Sequence, residues 1–300
     1  MKHFDVIIIG GSYAGLSAGM ALGRSLRNVL IIDGREPCNI QTPHSHNFLT
    51  RDGETPTALA EISKAQVLAY PTVQLKEDVV TQVSRSERGF EVDTHSESFT
   101  TGKLIFATGV KDIMPEIPGF AESWGVSVVH CPYCHGYEIR DTETGVLGNG
   151  DAGFEFVKFI RHWTSKITLL TNGASTLSDH QKSTLDSIGI KVVENEIRAI
   201  NHVNGQMSSV AFSEDYTLNL RAIYARLPFV QKCDIPEQLG CELDEHGYLK
   251  VDDFQKTNIP GILAAGDCTN RMRSVAGAVA AGSKAGAIVN HEMINESYLV

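Results

Sequence analysis

Two cysteines and two histidines lie close together in the stretch HCPYCHGYE, residues 130–138. The spacing of Cys131 and Cys134 is typical of a redox-active disulfide or of half a zinc site. A tetrahedral zinc site normally takes a second Cys or His pair from elsewhere in the chain, and the sequence lacks one at a recognisable spacing. We therefore favour redox chemistry and expect no metal. A zinc- or redox-sensing binding module is the alternative.

The residues around this pair predict which thiol reacts. Pro132 favours the first turn of a helix and places Cys131 near its N-cap, where backbone NH groups and the helix dipole stabilise a thiolate. Cys134 follows one helical turn later, close enough to form a small disulfide ring. His135 comes next, and a histidine that titrates near neutrality can accept or return a proton during thiol exchange. Cys131, Cys134 and His135 are the predicted catalytic residues.

The other cysteines have no thiol partner at such a spacing. We expect each to be a small buried residue. They are Cys38, Cys233, Cys241 and Cys268.

A glycine-rich turn near the start of the chain must be positioned by the elements on either side. FDVIIIG, residues 4–10, has the apolar pattern of a parallel strand buried on both faces, LSAGMALGRSL has helical spacing, and NVLIID is a second strand. The turn matches the dinucleotide-binding fingerprint except that Ser12 replaces its second glycine. Asp33 ends the second strand, where an acidic side chain can bind an adenosine ribose hydroxyl.

A second βαβ unit begins near residue 144 with TGVLGNGDAGFEFVKFIRHW and KITLLTNG. Its helix would present its N-terminus to a phosphate. The position of the ribose-binding acid falls around Thr171 and Asn172, which are neither acidic nor basic. Three glycines fill the fingerprint positions: Gly148, Gly150 and Gly153. Two such units predict two dinucleotides.

Length, composition and charge restrict the class of protein. With 300 residues and 42% hydrophobic content, the chain suits one large or two medium α/β domains. A net charge of −10 without a basic cluster argues against nucleic-acid binding. We expect no membrane span and no signal peptide, because the apolar runs are short and interrupted by glycine. Six cysteines in such a length predict a reducing cytoplasm and a transient, catalytic disulfide.

Three separated segments share one resemblance: VIIIGGSYAGLSA, LIFATG at 104–109 and GILAAGDC at 261–268. With the CxxC motif, they resemble the low-molecular-weight thioredoxin reductase family of FAD-dependent disulfide oxidoreductases over nearly the whole chain. CPYCHGYE and HNFLTRDG are similar to its dithiol-oxidase branch. The resemblance implies an α/β fold of two Rossmann-like three-layer (ββα) dinucleotide-binding domains, the second inserted in the first. The FAD-binding domain would comprise residues 1–112 and 229–300, and the NAD(P)-binding-like domain with the CxxC motif residues 113–228.

The resemblance also implies where cofactors bind. FAD would lie along the first unit, with a ribose on Asp33 and the ribityl chain held by Asp267. NADPH or NADH would bind at Gly148, Gly150 and Gly153, but LTNGAST replaces the His-Arg-Arg cluster that binds the 2′-phosphate in family reductases. The implied FAD contacts are Gly10, Ser12, Tyr13, Ala14, Gly15, Asp33, Gly34, Asn47, Ala107, Thr108, Gly109, Gly266 and Asp267.

The same resemblance assigns roles at the cysteines. Cys134 would face the flavin and Cys131 would exchange with the substrate, while His135 stands where thioredoxin reductases have Asp. Two versions of the function remain. A reductase would pass electrons from NAD(P)H to a disulfide or a thioredoxin-like protein, and an oxidase would oxidise a small dithiol with oxygen.

Three further points concern the histidines and the oligomeric state. His44, His46 and Asn47 are candidates for the substrate face, because TPHSHNFLTRDG occupies the stretch that runs past the flavin ring in this family. A role for His130 is left open. A homodimer is implied.

Overall fold

The computed structural model describes residues 1–298, which divide into two compact units. Unit 1 comprises residues 1–40, 48–111 and the chain from 229 onward, and unit 2 comprises residues 41–47 and 112–228. The predicted domains, with boundaries at 112/113 and 228/229, stay predictions. So does the cofactor that each domain binds. Within the described residues, no helix is long and apolar enough to cross a bilayer.

Unit 1 is built on a seven-stranded sheet in the order β3-β2-β1-β6-β5-β4, with β17 beside β6. Its central strands pair in parallel, and β4 and β5 join antiparallel. The amino half of β6 pairs with β5 and its carboxyl half with β17, so both strands lie along one edge of β6. The strands are β1 (Lys2–Ile9), β2 (Val29–Asp33), β3 (Val73–Glu77), β4 (Val80–Ser86), β5 (Gly89–Thr94), β6 (Ser98–Phe106) and β17 (Ile262–Ala264).

The two faces of this sheet bury different layers. Side chains such as Val6 and Ile8 pack in one cluster with helical residues, whereas Ile7 and Ile9 pack in another with Phe90. This alternation follows from the two-residue period of a strand and gives a three-layer unit. The helices of unit 1 are α1 (Tyr13–Arg24), α2 (Pro56–Leu68), α7 (Ile235–Gln238) and α8 (Val275–Ser297).

Unit 2 contains a five-stranded parallel sheet in the order β11-β10-β9-β15-β8. An antiparallel sheet, β12-β13-β14, shares its apolar core with one face, and α5 packs in the cluster on the other. The strands are β8 (Val128–Val129), β9 (Thr144–Leu147), β10 (Ile167–Leu170), β11 (Lys191–Val193), β12 (Ala199–Val203), β13 (Gln206–Ala211), β14 (Thr217–Asn219) and β15 (Ala222–Ala225). The helices are α3 (Phe120–Ser123), α4 (Pro132–His135), α5 (Gly150–Ile160) and α6 (Asp179–Ser187).

A separate two-stranded sheet pairs β7 (Val110–Asp112) with β16 (Phe229–Gln231). The α/β fold class with two Rossmann-like units, the second interrupting the first in sequence, is confirmed.

Candidate functional site

The first glycine-rich turn packs tightly against the segment that follows β6. Gly10 adopts φ +109°, and its amide donates to the Ile32 carbonyl at 2.8 Å. A Cβ at Gly10 would collide with the carbonyl of Ala107, and one at Gly15 would collide with the carbonyl of Gly10. Both positions therefore require glycine. The turn and residues 107–109 form one surface of unit 1.

Asp33 lies against the same turn. Its Oδ1 atom accepts a hydrogen bond from the Gly11 amide at 3.1 Å, and a Cβ on Gly11 would lie 2.7 Å from the Asp33 Cβ. No side chain among the described residues caps α1 at Ser12, and the first turn of α1 carries no acidic side chain. Its amides therefore remain available to an anion such as a pyrophosphate.

Two more segments complete this surface. The Ala265 amide donates to the Phe106 carbonyl at 2.9 Å, and a Cβ on Gly266 would lie 2.9 Å from the Cβ of Ala14. Within the described residues, the buried Thr108 hydroxyl has no hydrogen-bond partner. A buried hydroxyl without a partner beside an uncapped helix and a carboxylate fits a dinucleotide such as FAD.

Nearly all of the predicted FAD contacts lie in unit 1, where these segments meet. Asn47 is the exception, because residues 41–47 group with unit 2. FAD binding by these residues stays a prediction.

The redox pair lies in unit 2, where Cys131 and Cys134 form a disulfide with a Cα–Cα distance of 5.3 Å. Cys131 is the N-cap of α4 and Pro132 occupies its first turn, as predicted. The amides of Cys134 and His135 both donate to the Cys131 carbonyl at 3.2 Å. This short turn holds the two sulfur atoms together without help from distant parts of the chain.

His135 has an unusual proton affinity. Burial, together with a smaller effect from the charge of His46, lowers its pKa from 6.5 to about 4. The expectation that His135 titrates near neutrality is therefore wrong for the disulfide form, because a buried imidazole resists protonation. It is neutral at pH 7. A thiolate formed beside it on reduction would raise its pKa and make it a proton acceptor.

Aromatic rings surround the outer side of the CxxC turn. Tyr133 is 59% exposed, and its ring packs edge-on against Trp163 with centroids 5.5 Å apart. Phe159 lies 6.0 Å from Tyr133 and 5.4 Å from Trp163. A Cβ on Gly136 would approach the Trp163 ring to 2.6 Å, so the turn needs glycine there. A flat apolar group could dock beside the disulfide.

Comparison with known proteins identifies the family of the chain. Pyridine nucleotide-disulphide oxidoreductases, as a family, match residues 4–282. The chain belongs to this family. It is thus an enzyme, and the alternative of a zinc- or redox-sensing binding module is wrong. Residues 1–298 contain no group of three or more His, Cys, Asp or Glu that could hold a metal ion.

Individual relatives match nearly the whole chain. Thioredoxin reductase tcpT of Claviceps purpurea is 29% identical over 97% of this chain and 94% of its own. An oxidoreductase structure from Agrobacterium tumefaciens is 36% identical, with a TM-score of 0.90 over 98% of this chain and 99% of that one. TrxB from Bacillus anthracis is 30% identical, with a TM-score of 0.93 over the same shares. The chain is a thioredoxin reductase-like member of the family.

Family membership implies FAD and NAD(P)H in general. The second glycine-rich turn is the predicted site of the nicotinamide cofactor. The Gly148 amide donates to the Leu170 carbonyl at 3.0 Å, as Gly10 does to Ile32. Thr171 is therefore the counterpart of Asp33, as the sequence predicted. Its hydroxyl donates to the Gly173 carbonyl at 2.7 Å, so it is already engaged. Nicotinamide binding at Gly148, Gly150 and Gly153 stays a prediction, and the contacts of this loop do not fit it.

Sequence reasoning missed two residues near the redox turn of this family member. Glu138 Oε1 lies 3.6 Å from His46 Nε2. The buried Tyr224 hydroxyl has no hydrogen-bond partner within residues 1–298, and burial together with the charge of Glu138 raises its pKa. The sequence signal for Tyr224 was a tyrosine hydroxyl within the otherwise apolar strand AIYA, because a buried tyrosine hydroxyl usually needs a hydrogen-bond partner.

The remaining predicted histidines have ring contacts. His130 stacks on Trp124 with centroids 5.7 Å apart, and His44 lies 6.3 Å from His46.

The other cysteines divide by exposure. Cys241 and Cys268 are buried as predicted, and burial raises the pKa of Cys268 to about 12. Cys233 is partly buried. The prediction of burial is wrong for Cys38, which is exposed with its Sγ 3.7 Å from Asp267 Oδ2. Its sequence neighbours Pro37 and Asn39 are typical of a surface loop.

Proposed function

We propose that this enzyme moves two electrons between FAD and a dithiol or disulfide substrate through Cys131 and Cys134. The observation that carries the proposal is the disulfide at the start of α4 in a chain of this family. Catalytic disulfides need sulfur atoms that can approach and separate within one turn. This arrangement meets that requirement.

The exchange chemistry balances within the CxxC turn. A substrate thiolate attacks Cys131 Sγ, the Cys131–Cys134 bond breaks, and Cys134 leaves as a thiolate. The second substrate thiol then attacks the substrate sulfur of the mixed disulfide, and Cys131 leaves. The substrate loses two electrons and two protons and becomes a disulfide. The reverse sequence reduces a disulfide.

His135 would accept the proton released at the neighbouring thiol. Its neutral imidazole is available at pH 7, because burial lowers its pKa to about 4 in the oxidised form. FAD, when bound, supplies a two-electron acceptor and donor. The residues that would hold it are the glycines and uncapped amides of the first turn with Asp33, Thr108 and Asp267.

The substrate is a small dithiol or a thioredoxin-like protein. The exposed ring of Tyr133, packed against the partly buried ring of Trp163, supports docking of a flat apolar group beside the disulfide. The proposal includes a homodimer, which the resemblance implies, and a cytoplasmic setting, where a reducing compartment keeps such a disulfide cycling.

The oxidase version is favoured by one observation. The loop after β10 offers Thr171 and Asn172 where a 2′-phosphate would need a basic partner. In the reductase version, NADPH or NADH would supply the electrons. In the oxidase version, oxygen would take them from a dithiol.

Anaerobic stopped-flow spectroscopy tests the proposal. We expect a dithiol such as dithiothreitol to bleach the flavin of the wild-type enzyme, and Cys134→Ser to remain yellow and folded but unbleached, because a hydroxyl cannot form the exchange intermediate. Cys233→Ser is the matched control and should behave as wild type.

Bleaching of Cys134→Ser at the wild-type rate would overturn the role of this cysteine. Parallel mixing with NADH and NADPH separates the two versions. A hundredfold preference for NADPH, about 2.7 kcal/mol of discrimination, would establish the reductase version with a basic partner for the 2′-phosphate.

A further inference from the structure

The two glycine-rich turns of the chain are equivalent in position and differ in what surrounds them. In unit 1 the Gly10 amide donates to the carbonyl of Ile32, the residue before Asp33. In unit 2 the Gly148 amide donates to the carbonyl of Leu170, the residue before Thr171. This common hydrogen bond aligns Gly11 with Asn149 and Ser12 with Gly150. The two sites can therefore be compared residue by residue.

The turn in unit 1 leaves its binding surface open. Gly11 has no side chain, and its backbone amide meets the Asp33 carboxylate at 3.1 Å. Ser12 makes no side-chain cap at α1, within the part of the chain that the structure describes. A ribose and a pyrophosphate can reach these groups.

The turn in unit 2 is closed by the Asn149 side chain. Its Oδ1 atom accepts from the Gly150 amide at 2.8 Å, from the Thr176 amide at 2.8 Å and from the Thr176 hydroxyl at 3.2 Å. Its Nδ2 atom donates to the Ala174 carbonyl at 2.9 Å. The amide that begins α5, which a pyrophosphate would use, is thus already satisfied.

The same loop fills the space beside the turn. Thr176 Oγ1 would lie 2.8 Å from a Cβ on Gly150, so the threonine occupies the direction in which a ligand would approach. Asn172 Oδ1 accepts from the Ile197 amide at 2.7 Å. Glu194 accepts from the Ser175 amide at 3.2 Å and adds a negative charge. The side-chain oxygens of Asn172 and Thr176 are thus engaged within unit 2.

We propose that the loop of residues 172–176 is a built-in occupant of the second dinucleotide site, so that unit 2 binds neither NADPH nor NADH. The inference rests on the proposed function and assigns the direction of electron flow, from the dithiol substrate to the flavin. A dithiol then supplies the two electrons and two protons, and dioxygen accepts them to become hydrogen peroxide. Unit 2 then serves to carry the redox disulfide, which follows β8.

Calorimetric titration of the FAD-loaded, oxidised enzyme tests this without turnover. We expect no saturable heat from NADPH, NADH or 2′,5′-ADP up to about 1 mM, the weak end of enzyme affinities for metabolites. The double variant Asn149→Gly, Thr176→Gly opens the turn and should gain at least about tenfold in affinity for one of them. Asn204→Gly, the same change in an exposed turn of unit 2 at φ +51°, is the control and should gain nothing.

Micromolar binding of either nicotinamide cofactor by the wild-type enzyme would overturn the inference. So would a double variant that stays folded and yellow yet gains no affinity, because the loop would then not be the occupant. Both results leave dithiol bleaching of the flavin unaffected. Loss of that bleaching in an enzyme with both cysteines intact would instead overturn the proposed function.

Discussion

His135 is a base whose strength depends on the redox state of the residue beside it. In the disulfide form it is buried and lies near a second imidazole, so desolvation and the charge of His46 disfavour its protonation. Reduction places a thiolate in the adjacent residue, and an opposite charge within a few ångströms favours the imidazolium. Proton uptake is therefore coupled to disulfide opening.

The oxidised protein should lose stability as the pH falls from about 6.5 to about 4. The unfolded His135 binds a proton with a pKa of 6.5 and the folded one at about 4, so acid favours the unfolded chain by up to about 3 kcal/mol. We measure the free energy of unfolding in urea at several pH values in this range. It should depend less steeply on pH in His135→Gln than in wild type. His180→Gln, at an exposed position on α6, is the control. Equal slopes in wild type and His135→Gln would contradict the assignment.

At the scale of elements, α8 and α1 pack unusually closely. A Cβ on Gly282 would collide with the Ala14 carbonyl, and the Ser17 hydroxyl donates to the Val279 carbonyl at 2.7 Å. The Ala/Gly composition of SVAGAVAAGSKAGAIVN suits a helix packed closely on its neighbours, and α8 forms there. Small residues allow the two backbones to touch, and this contact fixes Ala14 beside Gly266.

Gly282→Ala should separate these helices and lower the free energy of unfolding by about 1 to 3 kcal/mol, as overpacking does in a filled core. Gly102→Ala is the control, because its Cβ would make only an ordinary contact with the Asp5 carbonyl at 3.5 Å. Chemical denaturation of both variants checks the expectation. Equal stability of the two would mean that the helices can shift apart without cost.

Some elements could be predicted from the sequence and others could not. The β1–α1–β2 unit was readable because apolar periodicity, glycines and Asp33 are local signals. The engagement of Asn149 by residue 176 was not, because it depends on how a loop folds back across 27 positions. The low proton affinity of His135 depends on burial and on His46, distant in sequence. Local patterns fix elements, whereas contacts between them decide chemistry.

On the scale of the whole molecule, FAD should act as a structural ligand of unit 1. The first turn, residues 107–109 and residues 266–267 meet only when β1, β6 and β17 are paired. A ligand that binds only the folded chain stabilises it by about 2.7 kcal/mol at a hundredfold excess over its dissociation constant. We expect protein stripped of FAD to melt at a lower temperature and to recover with added FAD. A melting temperature independent of FAD concentration would contradict FAD binding at this site of unit 1.

The shared edge of β6 also sets an order of events during synthesis. Unit 2 is nearly continuous in sequence, so all of it has been synthesised once residue 228 is added. Unit 1 must wait for β17 and α8, since Leu104 pairs with Ile262 and Ser17 bonds to Val279. Until then the carboxyl half of this edge of β6 is unpaired, and such edges are where nascent chains aggregate or recruit chaperones. The redox disulfide can thus be formed before its flavin site exists.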